Sequence, residues 1–169
     1  MTDEEAPRLL KLFSFRPLPQ IDELLRTHDA DRGQRLAQRE LAREFTTWVH
    51  GGDETARVEE ASRIMFGGSL EGVQERTLEL LTKVVPVVEI DRAELANGIA
   101  LVELLSRTVA GSKTAARKLV QQGGAYVNNV RITDGERKIG IGDLVTPTLL
   151  VVRGGRKDYR LVRTAAPAK

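Results

Sequence analysis

The chain has 169 residues, 41% of them hydrophobic and 4% aromatic, which is enough for one domain or two small ones with an aliphatic core. It has no cysteine, and this excludes disulfides, thiolate metal ligands and a cysteine nucleophile. The net charge of +2 hides an asymmetry, because residues 107–169 carry 13 Lys and Arg against 4 Asp and Glu, whereas residues 1–106 carry 13 against 20. The basic half favours a polyanionic partner such as nucleic acid. No apolar run could span a bilayer and no signal peptide is visible, so a cytoplasmic protein without a membrane partner is expected.

Five helices are predicted in the first half of the chain, each with apolar residues at helical spacing. They are bounded by proline, glycine, serine or acidic residues and fall at about residues 9–15, 19–28, 34–50, 53–66 and 69–83. The long third helix carries Ala37, Leu41, Phe45 and Trp48 on the face predicted to be buried. Five helical segments with short joints describe an all-α unit.

The sequence pattern changes between residues 84 and 98. Pro86 cannot lie inside a helix, and Asn97-Gly98 is a turn signal. We therefore place the domain boundary here. The predicted parts are a helical domain, a linker and a second domain, at residues 1–88, 89–98 and 99–165.

The second domain is predicted to begin with an apolar helix at residues 99–109. Ser112 then has the position of an N-cap, whose hydroxyl accepts from the first free N–H groups of the next helix. The inner face of this second helix is apolar and its outer face basic or polar. The inner residues are Ala116, Leu119 and Val120, and the outer ones are Lys113, Arg117 and Gln121.

Two hairpins are predicted after these helices. Residues 125–127 and 130–132 are joined at Asn128-Asn129, and asparagine tolerates the positive φ that a tight turn needs. Residues 149–153 and 157–162 form the second pair of strands. The predicted fold class is therefore α+β, an all-α domain followed by a small α+β domain.

Basic residues crowd the second helix and both hairpins. Lys113 and Arg117 lie one helical turn apart, a spacing that can span neighbouring phosphates, although a solvated charged face has the same pattern. On these residues alone both interpretations stay open. The candidate RNA-binding residues are Ser112, Lys113, Arg117, Lys118, Arg131, Arg153, Arg156, Lys157 and Arg160.

The segment from Ser112 to Asn128 reads S-K-x-x-A-R-x-x-V-x-x-G-x-x-x-V-N, and it resembles the S-four-type RNA-binding domain, an αL-type fold. The hairpin at residues 151–159 is similar to the last hairpin of bacterial tyrosyl-tRNA synthetases. The N-terminal half resembles the same family at K-L-F-S-F, A-Q-R-E-L-A-R-E and V-H-G, which are residues 11–15, 37–44 and 49–51. The resemblance covers about residues 3–163. Asn129 departs from it, because the family often has glycine there.

The resemblance implies an excised C-terminal fragment of a tyrosine–tRNA ligase, beginning at Met1 and made of the helical anticodon-region domain and the S-four-type domain. The implied partner is tRNA(Tyr), bound at its variable arm and anticodon stem. The class I motifs H-I-G-H and K-M-S-K-S are not found. The chain alone is therefore expected to have no enzyme activity and no cofactor, since ATP and tyrosine would bind a catalytic domain outside it. The family is homodimeric, with dimer contacts mostly outside this chain.

Two alternatives remain: a free-standing S-four-type RNA-binding protein of the ribosome or RNA quality control, and a helical protein–protein adaptor. The dense basic cluster favours RNA over a solvated face, because solubility alone would interleave more acids.

No metal-ligand or nucleophile pattern is found. Structural or packing roles are predicted for His28, His50, Trp48, the phenylalanines, Tyr126 and Tyr159.

Overall fold

The computed structural model of the protein describes residues 4–166. Its contacts divide the chain after Ala56 into two compact units. The first unit contains three long helices, α1 (Glu5–Phe13), α2 (Leu18–Ala30) and α3 (Leu36–His50). Pro17 and Pro19 stand at the beginning of α2, where the missing N–H of proline costs no helical hydrogen bond. The small core of this unit consists of Leu10, Ile21 and Leu41, with Leu9, Leu24 and Leu25 packed against it.

The aromatic side chains of α3 depart from the prediction. Ala37 and Leu41 are buried as predicted, but Phe45 is 48% and Trp48 66% exposed, so their predicted burial is wrong. The buried stripe of α3 ends at Leu41, because the core beneath the helix is small. Phe45 and Trp48 instead contact each other and two further exposed rings, with centroids 5.7–6.4 Å apart. The other phenylalanines, Phe13, Phe15 and Phe66, are exposed as well, against the prediction of core positions.

His28 lies inside α2 and is 1% exposed, rather than standing in a polar joint. Neither of its ring nitrogens hydrogen-bonds to another described residue. His50 ends α3 and is exposed. Each histidine lies in the last turn of its helix, where a basic residue suits the helix dipole, and their structural roles stay a prediction.

The second unit contains five helices and seven strands among its described residues. The helices are α4 (Gly52–Met65, which begins before the unit), α5 (Glu75–Leu81), α6 (Arg92–Asn97), α7 (Leu101–Thr108) and α8 (Lys113–Gln121). The strands are β1 (Val87–Glu89), β2 (Ile99–Ala100), β3 (Ala125–Val127), β4 (Val130–Arg131), β5 (Lys138–Ile139), β6 (Leu149–Gly154) and β7 (Asp158–Arg163). These elements confirm the predicted α+β class.

Five of the strands form one sheet in the order β1-β7-β6-β3-β4, in which only β1 and β7 are parallel. Strands β2 and β5 form a separate antiparallel pair. The sequence Leu149-Leu150-Val151-Val152 is apolar without interruption because both faces of β6 are covered. On one face, Leu150 and Val152 pack in a core with α7 and α8. On the other face, Leu149 and Val151 pack with residues of α4 and α5.

The segment predicted as a linker, residues 89–98, forms secondary structure. Pro86 precedes β1, an edge strand, where a residue without an N–H is tolerated. The carboxylate of Asp91 caps α6 by accepting from the Ala93 N–H at 2.7 Å, and Leu95 is fully buried. The compact units therefore divide the chain earlier than the predicted domain limits of 88 and 99. Those limits stay a prediction about which parts fold independently.

Candidate nucleic-acid interface

Helix α8 presents the first group of predicted RNA-binding residues. Ser112 has extended backbone, and its hydroxyl accepts from the Ala115 N–H at 3.2 Å, as the predicted N-cap should. The Lys113 ammonium lies 2.6 Å from a carboxylate oxygen of Glu103 on α7. Arg117 and Lys118 are exposed and form no ion pair with any residue between 4 and 166. The helix therefore offers two free cations and one partly neutralised cation to solvent.

The two hairpins bring four further side chains into one row. Asn128 and Asn129, with φ of 51° and 61°, form the tight turn between β3 and β4, as predicted. Tyr126 on β3 lies opposite Arg131 on β4 and Arg153 on β6, and Arg153 lies opposite Tyr159 on β7. Paired residues point to the same face of a sheet. The row therefore alternates cation and aromatic ring across four strands.

Contacts within this row are close. Arg131 donates from Nε and Nη2 to the Tyr126 hydroxyl oxygen, at 3.2 and 2.9 Å. The guanidinium carbon of Arg153 lies 3.8 Å from the centre of the Tyr126 ring and 5.4 Å from that of Tyr159. Cation–π contacts of this kind stabilise by about 0.5–2 kcal/mol. Arg153 is thus held between two rings, whereas Arg131 keeps an exposed guanidinium.

The electrostatics of Tyr126 show that a third cation is near. The pKa of Tyr126 is lowered, first by the hydrogen bond from Arg131 and then by the positive charges of Arg131, Arg153 and Arg156. Arg156 is exposed in the turn between β6 and β7 and has no ion pair among the described residues. We call Tyr126 and these three arginines the Tyr126 cluster. It is a concentration of positive charge without an acidic partner among residues 4–166.

The helix and the Tyr126 cluster lie on different faces of the sheet. Ala125 and Val127 point towards the core shared with α8, so the intervening Tyr126 points to the opposite face. The two groups approach each other at the β4 edge, where the Arg131 Nη1 would be 3.8 Å from a Cβ built on Gly123, just after α8. Arg131 thus reaches the end of α8 at this edge, and the predicted cations are not all members of one flat surface.

Two other predicted residues have different environments. The Arg160 Nη1 lies 2.5 Å from the Asp158 carboxylate and also donates to the Tyr159 carbonyl, so its charge is largely balanced. Lys157 is exposed and forms no ion pair with the described residues. The predicted packing role of Tyr159 is confirmed, since it is 3% exposed. Tyr126 is only half-buried, and its stacking on Arg153 was not foreseen.

We expect Tyr126 to ionise at lower pH than a free tyrosine, because its tyrosinate is hydrogen-bonded by Arg131 and faces further positive charge. An absorbance titration of tyrosinate measures this directly, since the chain contains only two tyrosines. The Tyr126→Phe variant should lose the early part of the curve. A Tyr126→Phe curve that kept this early part would contradict the assignment.

Metal-binding groups and membrane-spanning helices are not found in the part of the chain that the structure describes. Residues 4–166 contain no group of three or more His, Asp or Glu that could hold a metal ion. None of their helices combines the length and apolar composition that crossing a bilayer requires.

Comparisons with known proteins point to one family. A family model described as the tyrosine–tRNA ligase SYY-like C-terminal domain matches residues 77–162. The tyrosine–tRNA ligase of Opitutus terrae is 39% identical over 163 residues, which are 95% of this chain and 38% of the relative. That of Thermobifida fusca is 40% identical, over 92% of this chain and 36% of the relative. A solution structure of a tyrosyl-tRNA synthetase C-terminal domain is 31% identical with a TM-score of 0.45, over 60% of this chain and 99% of that one. This chain spans less than two-fifths of the length of these curated relatives.

Proposed function

We propose, because this chain belongs to the SYY-like C-terminal domain family of tyrosine–tRNA ligases, that it binds tRNA and positions it for aminoacylation. The catalysis itself would belong to a class I domain outside these residues, which would also bind ATP and tyrosine. The observation that carries the proposal is the Tyr126 cluster, in which three arginines gather without an acidic partner in the described part of the chain. The RNA we propose is tRNA(Tyr), held at its variable arm and anticodon stem in the cytoplasm. A homodimer, with contacts mostly outside this chain, is part of the same proposal.

The proposed mechanism is positioning through the RNA backbone. Arg131 and Arg156 are exposed and can donate to phosphate oxygens, and Arg117 and Lys118 offer further exposed cations on α8. A-form RNA has a deep and narrow major groove, so a protein recognises its paired regions by shape and phosphates. Base reading would be confined to unpaired nucleotides. The protein would thus fix the orientation of the tRNA, and the acceptor end would reach the catalytic domain.

The first test is tRNA binding as a function of salt. Each phosphate contact is expected to contribute about 0.7–0.9 to the slope of log affinity against log salt. Lys113→Ala and Arg117→Ala should each weaken binding a few-fold and flatten this slope without unfolding the protein. Arg117→Ala should have the larger effect, because Lys113 is partly neutralised by Glu103.

The control for this test is Lys83→Ala, which removes an exposed cation outside the candidate residues. It should leave both affinity and slope close to those of the unmodified chain. If Arg117→Ala bound like the unmodified chain at every salt concentration, α8 would not be part of the site.

Two further measurements separate the proposal from its alternatives. Sequencing of the RNA retained from total tRNA should find tRNA(Tyr) enriched, which a free-standing S-four-type protein of the ribosome would not do. A protein–protein adaptor would show no salt-dependent tRNA binding at all. The isolated chain should also lack tyrosine-dependent ATP–pyrophosphate exchange. Measurable exchange would contradict the proposal that catalysis belongs to a domain outside these residues.

A further inference from the structure

A groove of about 380 Å³ adjoins the Tyr126 cluster and is not accounted for by backbone binding. One wall is the loop of residues 67–71 that follows α4, and the other is the turn at residues 128–130. Both walls belong to the second compact unit. A volume of this size is typical of small-molecule sites. The groove can therefore hold a single small ligand or one group of a larger one.

The walls of the groove are held together by one side chain. The Asn129 amide donates from Nδ2 to the carbonyl oxygens of Ile64 and Gly68, at 2.8 and 2.9 Å. Gly68 itself lies close against Arg63 at the end of α4, where a Cβ would lie 2.6 Å from Arg63 Cγ and 2.9 Å from the Arg63 carbonyl oxygen. The amide is thus fixed in orientation, and the groove is formed before any ligand binds.

The side chains that line the groove supply mainly acceptors. The Asn129 Oδ1 is buried and has no hydrogen-bond partner among the described residues. Glu71 is exposed, and its carboxylate forms no ion pair or hydrogen bond with any residue between 4 and 166. The Ser69 hydroxyl already accepts from the Glu71 N–H at 3.1 Å. The Asn129 Oδ1 is closed off from solvent, so the side-chain acceptor open to a ligand is the Glu71 carboxylate. The groove therefore favours a ligand that brings N–H donors.

The rim of the groove carries a positively charged hydrogen-bond donor rather than an acceptor. The Nη1 of Arg153 would lie 3.7 Å from a Cβ built on Gly67, so the guanidinium stands at the edge of the groove. The neighbouring ring of Phe66 is 88% exposed and available for stacking. A carboxylate inside and a guanidinium at the rim together select a ligand with a phosphate at one end and an amino-bearing ring at the other.

We infer that this groove binds one unpaired nucleotide of the RNA whose base carries an exocyclic amino group, with its phosphate at Arg153 and its amine at Glu71. Adenine, cytosine and guanine satisfy this description, and uracil does not. The inference rests on the proposed function, because it assigns a base-selecting role to a pocket beside the proposed phosphate contacts.

The test is a nuclear magnetic resonance titration of the whole chain with AMP, CMP, GMP and UMP. At least one amino-bearing nucleotide should shift the amide signals of Gly67, Gly68 and Asn129 and bind about tenfold more tightly than UMP, as one good base contact permits. Glu71→Gln should remove this preference, because its amide can donate to the O4 of uracil. Glu136→Gln, an exposed acid elsewhere in the unit, should leave the preference unchanged.

Parallel tRNA binding separates this inference from the proposed function. If tRNA binds with a salt slope that the arginines set, but all four nucleotides shift the groove equally or not at all, the inference about the groove is wrong. If tRNA does not bind, both the proposed function and the inference fail. Loss of base preference in Glu71→Gln with the salt slope retained would support both.

Discussion

Replacing Arg131, Arg153 and Arg156 together by glutamine is expected to weaken tRNA binding about 100-fold near physiological salt and to lower the salt slope by about 2–3. The reason is their concentration around Tyr126, where none of the three has an acidic partner among the described residues. Each phosphate contact releases counterions from the RNA when the protein binds, so each lost contact lowers the salt dependence of the affinity. The measurement is filter binding or fluorescence anisotropy with tRNA at several salt concentrations.

Folding has to be checked separately in this variant, because Arg153 packs between the rings of Tyr126 and Tyr159. Losing those contacts should cost about 0.5–2 kcal/mol of stability. The double variant Arg131→Gln, Arg156→Gln keeps Arg153 in place and should still lose about 1–2 of the slope. A fully folded double variant with unchanged affinity would remove the Tyr126 cluster from the interface.

Arg160→Gln is the matched control for the triple variant. It removes one positive charge from the same pair of strands, but that charge already faces Asp158 at 2.5 Å. The sequence alone places both Arg160 and Arg156 among the candidate residues, but in the structure Arg160 is ion-paired on β7 and Arg156 is exposed in the turn. We therefore expect a small effect on the slope, and a loss as large as that of Arg156→Gln would show that Asp158 does not neutralise it.

The features that sequence reasoning predicted correctly are those set by near neighbours in the chain. Ser112 caps α8 because an extended residue with a hydroxyl reaches an N–H three residues later. Asn128 and Asn129 form the turn because their own φ values decide it. Such signals need no knowledge of the rest of the fold, so a single sequence reveals them.

The features that it missed depend on residues distant in sequence. The row through Tyr126 requires β3 to pair with β6 in one register, and nothing near Tyr126 encodes that pairing. The proline signal at Pro86 precedes an edge strand, whose partner β7 lies some 70 residues later, and the turn signal at Asn97-Gly98 ends a short capped helix. Phe45 and Trp48 follow the helical period of a buried face, but the core ends before it reaches them. Tertiary packing decided each of these cases.

Leu150→Ala is expected to destabilise the second compact unit by about 2.5–5 kcal/mol. Leu150 is fully buried in the core that joins β6 to α7 and α8, so the truncation leaves a cavity between elements that cannot easily close. The loss is a large part of the total stability of a typical domain, about 5–15 kcal/mol. Urea denaturation of the unmodified chain and of Leu150→Ala measures the difference in the free energy of unfolding.

The chain carries its own probes for this experiment. Both tyrosines, Tyr126 and Tyr159, lie in the second unit, and the single tryptophan, Trp48, lies in the first. Leu150→Ala should therefore shift the unfolding midpoint followed by tyrosine signals. Val130→Ala, at a position that is 61% exposed on the edge strand, should shift it little.

Because α8 and the Tyr126 cluster are positioned by the same sheet, tRNA binding should fall at the urea concentration where the tyrosine signal changes. A loss of binding that preceded this change would mean that the interface opens without unfolding of its core.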